Sequence, residues 1–387
     1  MTLRRAILPL LSGVPLTSAE SEVLRATPAR SWQLLVTAEC CALPLMARLR
    51  QTGTLGSLPL EVREIVSQAE LQEMQRVMAA RAELRTIDTI AAALGIEVTV
   101  LKGGAVAAET DRPALDLGDV DLLCARGDAA RLTRALLDAG WREKHAAGIS
   151  ALGSDDAEFN HFVPLLPPGD GIAVELHQRV DYGGASEATT RDRTRPLRGA
   201  RALHRFVGAA AVVTSLEHSV IQHPHRRGHL RDLVLLSDAF GECSDDERRA
   251  LPSLVAGARF ATQLGEMLAL ATSFARGERV EDPPAIQRAV ARKYLLALGD
   301  DAQLTARVAE WWRISYIALD PPRLRASLYG DLLRSAFARV PRGSRFGAAG
   351  GWVVRSTYRT ALTAVAVAQG PAVRRDVYAV LRAASGS

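Results

Sequence analysis

The chain has 387 residues, 48% hydrophobic and 24% charged, so it can bury a real core in two or three packed units and reads as globular. Its formal charge is +5 and its pI about 9.3, yet the basic residues are nearly all arginine, with lysine only at Lys102, Lys144 and Lys293. Arginines and acids are interspersed and no aromatic and basic stripe accompanies them, so the charge is only weak evidence for nucleic-acid binding.

The arginine and alanine excess matches the codon bias of a GC-rich bacterial genome. Cys40, Cys41, Cys124 and Cys243 form no C-x-x-C pair, and this usage fits a reducing, cytoplasmic setting. The opening MTLRRAILPLLSGVPLTSAE has the basic start and short apolar run of a signal peptide, but Pro9 and Pro15 interrupt it and a helical pattern follows. No 18-residue apolar run suggests a membrane span.

In chain order, residues 16–93 predict helices: SAESEVLRA opens on a cap, SWQLLVTAECCALPLMARLRQ follows, and a long periodic run ends at Gly95. EVTVLKG predicts a strand over 97–101 that meets two glycines, and DVDLLCA predicts the next strand. GDAARLTRALLDAGW predicts a helix with Asp128 as N-cap and Gly140 ending it. HFVPLLP (161–167) and IAVELHQRV (172–180), joined by PPGDG, predict a hairpin. From about 200 to 335 the pattern reads as helices, beginning with RALHRFVGA, and PRGSRFGAAGG predicts a flexible break before a helical tail. No internal repeat is present.

Strand alternation puts Asp119 and Asp121 on one face, with Val120 and Leu122 turned to the core. Two carboxylates roughly 6 Å apart repel by about 2–3 kcal/mol at an effective dielectric near 20, which a bound cation or a nearby arginine would remove. In IAVELHQRV, Ile172, Val174 and Leu176 face one way and Glu175 and His177 the other. Taken singly, an Asp-Val-Asp is a solvated strand end, Glu175 a salt-bridged edge residue, Gly103-Gly104 a tight turn and Lys102 a solvated lysine. Taken together, the three acids suit two divalent cations, and the glycines with Lys102 suit an anion.

The order Gly-Gly, Asp-x-Asp, then a later acidic strand resembles the polymerase-β-like nucleotidyltransferase superfamily. LKGGAVAAE, GDVDLL and VELH resemble, more narrowly, an uncharacterised bacterial nucleotidyltransferase family, closely over residues 95–180 and more loosely in the helical front and over 201–240. The resemblance implies an α+β fold: a small mixed sheet over 95–200, a helical region over 1–94, a helical domain over 201–340, and a linker with a helical tail over 341–387. It further implies that Asp119, Asp121 and Glu175 hold Mg²⁺ or Mn²⁺, with Glu175 also taking the acceptor proton, and that Lys102, Gly103 and Gly104 hold the triphosphate. His177 orients Glu175, contacts phosphate, or is structural.

The reaction implied is transfer of an NMP group from an NTP to an acceptor hydroxyl, with pyrophosphate leaving. Acceptors of four kinds fit: a small molecule, a peptide, a protein or an RNA end. Two features depart from the pattern. The turn has Gly-Gly where the superfamily often has Gly-Ser, and Leu115 and Asp116 stand where relatives carry arginine, leaving Arg112 as the substitute. In EHSVIQHPHRRGHLRDLVLL, the resemblance places His218, His223, Arg231 and Asp232 at the cleft, Arg231 toward the nucleotide; a structural polar cluster is the alternative, and His161 is a further strand-end candidate. A catalytically silent binding or scaffold protein, and a tRNA-modifying nucleotidyltransferase toxin, are the rival functions.

Overall fold

The apolar helical front folds as its periodicity dictates. In this computed structural model, residues 2–109, 115, 117–144, 164–169, 171–177, 180, 193–222, 229–258 and 261–282 are described. The N-terminal run forms α1 (Leu3–Ser12), capped by the Thr2 hydroxyl. Its Ala6, Ile7, Leu8 and Leu10 are no more than 1% exposed, so the stretch that resembles a leader packs as a core helix. α2 (Ser18–Ala26) starts from a capping box between Thr17 and Glu20. α3 (Ala29–Glu39), α4 (Ala42–Gln51) and the 35-residue α5 (Leu60–Leu94) complete the front. Gly95, at φ +65°, ends α5 where only a residue tolerant of the left-handed region fits. The buried Glu73 carboxylate of α5 accepts the Ala42 and Leu43 N–H groups at 2.9 and 2.8 Å, supplying partners to orphan donors at the start of α4.

The sheet follows. β1 (Val98–Val100) leads through α6 (Lys102–Ala108) to β2 (Asp119–Leu123), then α7 (Arg126–Asp138), β3 (Arg142–Glu143), β4 (Leu165–Leu166), β5 (Ala173–His177), β6 (Thr194–Pro196) and β7 (Leu203–Phe206). The order across the seven strands is β3-β4-β5-β2-β1-β7-β6. β2 runs parallel to β5 and β1 parallel to β7, while the other pairings are antiparallel. Val98, Val100, Val120, Leu122, Val174 and Leu176 are at most 1% exposed. They are the alternate positions of the three central strands, and each such burial contributes about 1.5–3 kcal/mol. The opposite face is left to the polar residues.

Two local readings are corrected. RALHRFVGA is not helical throughout: Leu203–Phe206 is a strand against β1, and the helix α8 begins only at Gly208 (Gly208–Glu217). Four residues are too few for a period to show, and tertiary pairing decides. α7 starts two residues before Asp128, so that acid is not the cap; it lies in the first turn, favourable to the helix dipole, and binds Arg131 at 2.9 Å. After α8 come a π-type turn (His218–Gln222), α9 (Leu230–Gly241), α10 (Asp245–Ala256) and α11 (Ala261–Ala275).

The sheet and the helices on both sides of it in sequence belong to one unit, Met1–Ala147 with Asn160–Gln287. Arg112, Asp116, His161, His223 and the C-terminal break and tail lie outside the described residues. No helix among the described residues is long and apolar enough to cross a membrane.

The entry to β5 is fixed from α5. Glu83 Oε1 accepts the Ile172 N–H at 2.7 Å, and a Cβ on Gly171 would fall 2.2 Å from that oxygen. Burial pushes the Glu83 carboxyl up to about 7, against the opposing pull of the Ile172 N–H. Between about pH 4.5 and 7 the folded chain keeps a proton that the unfolded chain releases, so stability falls as pH rises through that window. Glu83→Gln keeps an acceptor for Ile172 and removes the buried charge. Its unfolding free energy should exceed wild type by roughly 3 kcal/mol above pH 8 and differ little near pH 4; denaturant titrations at the two pH values measure this.

Candidate active site

The parallel register of β2 and β5 places Asp121 directly beside Glu175, and Leu123 beside His177. All lie on the polar face, as the strand period requires. His177 Nε2 is 2.7 Å from Asp121 Oδ1 and 3.9 Å from Glu175 Oε2. Lys102 Nζ donates to the other Asp121 oxygen at 2.9 Å, with its side chain only 6% exposed. Burial alone would raise the Asp121 pKa. The Lys102 ammonium, the hydrogen bond and charge of His177 and the charge of His218 outweigh it and hold the carboxyl well below the usual carboxylate range. Beside an ionised carboxylate, the His177 Nε2 carries its proton and donates.

Lys102 has φ +51°, a left-handed conformation that disfavours any residue with a Cβ by about 1–2 kcal/mol. Such strain persists where the surroundings over-determine it, and here the Asp121 carboxylate anchors the side chain. The two glycines that follow have a packing reason as well as a chemical one. A Cβ on Gly103 would lie 2.7 Å from Leu117 Cδ2, and one on Gly104 3.1 Å from Val100 Cγ1 and 3.6 Å from Val120 Cγ1.

A cleft of about 470 Å³, counted to its open mouth, gathers Lys102, Gly103, Gly104, Asp119 and Asp121 with Ser215, His218, Arg231 and Asp232. The structure thus brings the strand acids, the glycine turn and the α8–α9 polar residues to one place. Asp119 is half-buried on the cleft wall. The donor atoms that lie within 4.8 Å of one another are those of Asp121, Glu175 and His177. The sequence predicts a trio of carboxylates; Asp121 and Glu175 lie together with the His177 imidazole, and Asp119 lines the cleft with Asp121. Arg231 Nε and a terminal nitrogen donate to Asp232 Oδ1 at 3.2 and 3.1 Å, while the buried Asp232 Oδ2 has no hydrogen-bond partner among the described residues.

Sequence reasoning missed what aims α9. The fully buried Glu39 accepts from Arg4 at 2.9 Å and from the Leu230 N–H at 2.8 Å, so α3 holds the first turn of α9, from which Arg231 and Asp232 reach the cleft. The partners are 191 positions apart, and nothing local to either announces the contact. Cys124 and Cys243 are pushed up to about 12 and about 11, chiefly by burial, which leaves them unreactive.

Two carboxylates and an imidazole converging beside a buried ammonium fit a divalent cation, because the position already attracts positive charge. Mg²⁺ prefers oxygen and water, whereas Mn²⁺ also accepts imidazole. A mixed sheet bearing such a cluster beside a glycine turn defines an α+β protein of the nucleotidyltransferase class. The family match agrees: the pattern of a family described as an uncharacterised nucleotidyltransferase covers residues 33–275, and the chain belongs to that family. No curated protein and no solved structure matches the chain.

Proposed function

We propose that the protein transfers an NMP group from an NTP to an acceptor hydroxyl, with Mg²⁺ or Mn²⁺ held by Asp121 and Glu175, by His177 at their side, and by Asp119 from the adjoining cleft wall. The observation that carries this reading is the in-register pair Asp121 and Glu175 with His177, Asp121 also lining the cleft that contains Lys102 and the two glycines. A divalent cation bound there would neutralise the carboxylates and stabilise charge on the attacking and leaving oxygens.

The chain's own residues supply the rest. Lys102 and the close backbone approach at Gly103 and Gly104 hold the triphosphate, and Arg231 and His218 add positive charge on the opposite wall. Glu175, half-buried and in register beside Asp121, takes the acceptor proton. The acceptor oxygen then bonds to the α-phosphorus as the bond to the β-phosphate oxygen breaks, and pyrophosphate departs. Without a cation His177 orients Asp121 through its Nε2–H; to ligate one, that nitrogen would have to give up its proton. The cysteine usage, with no C-x-x-C pair among Cys40, Cys41, Cys124 and Cys243, supports a reducing, cytoplasmic setting.

Lys102→Ala tests the phosphate assignment. With Mn²⁺ present, calorimetric titration should show ATP affinity falling about 10-fold or more, AMP less, and adenosine hardly at all. An equal loss for all three ligands, or none, removes the assignment.

A further inference from the structure

Among the described residues, the large apolar side chains left exposed are Leu60, Leu71, Met74 and Met78, and all four belong to α5. Leu71, Met74 and Met78 are 58%, 39% and 51% exposed. Their spacing of three and four residues puts them on one face of the helix. The opposite face carries Val62, Val66, Val77, Leu84 and Ile87, all buried, where α5 packs on α3 and α4. Single exposed leucines need no explanation, whereas a contiguous apolar stripe on an otherwise polar face marks an interaction surface.

Charge says what covers it. Glu64, Leu71, Met78 and Arg85 stand seven residues apart and all are exposed, which keeps them close to one line along the helix. The apolar pair occupies the middle, with an acid one heptad before it and a base one heptad after it. At 1.5 Å per residue Glu64 and Arg85 are about 31 Å apart, too far to pair within one chain. The remaining arginine of this edge, Arg81, is committed elsewhere, its Nε donating to the Ala107 carbonyl at 2.6 Å. We infer that the exposed face of α5 is a homodimer interface, on which α5 of a second copy of this chain packs antiparallel about a two-fold axis between Met74 and Gln75. That axis sets Leu71 alongside Met78 of the second copy and Glu64 alongside its Arg85, and it repeats both pairings at the other end. A two-fold pair uses the same patch twice and so covers the whole stripe. One helix face is smaller than the roughly 1,200 Å² of a stable interface, so the dimer is reversible, with a Kd of about 10 µM.

Sedimentation of the full chain between about 1 and 200 µM should show a monomer in equilibrium with a dimer. Leu71→Glu with Met78→Glu, at positions already in contact with water, should remove the dimer and leave the melting temperature of the dilute protein unchanged. Glu64→Arg alone should weaken association about 10-fold, because arginine then faces arginine at both ends. Adding Arg85→Glu should restore it, which two side chains so far apart in one chain could not do for each other. A wild-type chain that stays monomeric at the highest concentration overturns the inference and leaves the stripe to a different partner. Dimerisation untouched by Leu71→Glu with Met78→Glu overturns it as well. A charge exchange that fails to restore association overturns the antiparallel pairing.

Discussion

Asp121→Asn should abolish cation-dependent NTP binding and lower turnover by on the order of 10³-fold. This carboxylate accepts from Lys102 through one oxygen and lies against His177 through the other, with Glu175 beside it in register. The amide has nearly the same shape, so the loss reports charge. It also leaves the Lys102 ammonium, 6% exposed, without its counter-ion, and breaking such a buried pair removes about 3–5 kcal/mol of stability. The double variant Asp121→Asn with Lys102→Met separates the two effects, because it should recover much of the stability and none of the cation-dependent binding. Recovery of binding in the double variant, or wild-type binding in the single one, would show that Asp121 serves only to neutralise Lys102.

Glu175→Gln should leave NTP affinity within a few-fold of wild type and slow pyrophosphate release by about 10²-fold or more, the scale of a positioned base. Glu175 lies farther from the His177 ring nitrogen than Asp121 does, 3.9 against 2.7 Å, and Lys102 is bound to Asp121. Its proton-accepting capacity is thus the less committed of the two. A fall in NTP affinity with turnover unchanged would confine Glu175 to holding the cation and remove its role as base.

Much of this site is legible in the sequence because a strand has a period of 2. Asp119, Asp121, Glu175 and His177 can be placed on one face from alternation alone, and their strands are long enough for the pattern to show. The parallel pairing of β2 with β5, which makes Asp121 and Glu175 neighbours, is not written in either segment. That His177 joins Asp121 and Glu175 in one cluster likewise depends on register and side-chain reach. β6 and β7 have three and four residues, too few to declare a period, so β7 reads as the start of a helix. The Glu39 brace on α9 comes from a contact between distant segments. The sequence offers Lys102 as a phosphate ligand; that its backbone is left-handed and its ammonium locked onto Asp121 is set by the meeting of β1 with α6.

The central claim is that the α-phosphoryl group moves with its nucleoside. Parallel incubations with α-labelled and γ-labelled NTPs, in Mn²⁺ or Mg²⁺ and with cell extract supplying acceptors, test it most directly. The account predicts that α-label enters an acceptor with stoichiometric release of pyrophosphate, that γ-label does not, and that Asp121→Asn abolishes the transfer. Transfer of γ-label, or the same α-label incorporation by wild type and Asp121→Asn, would contradict it.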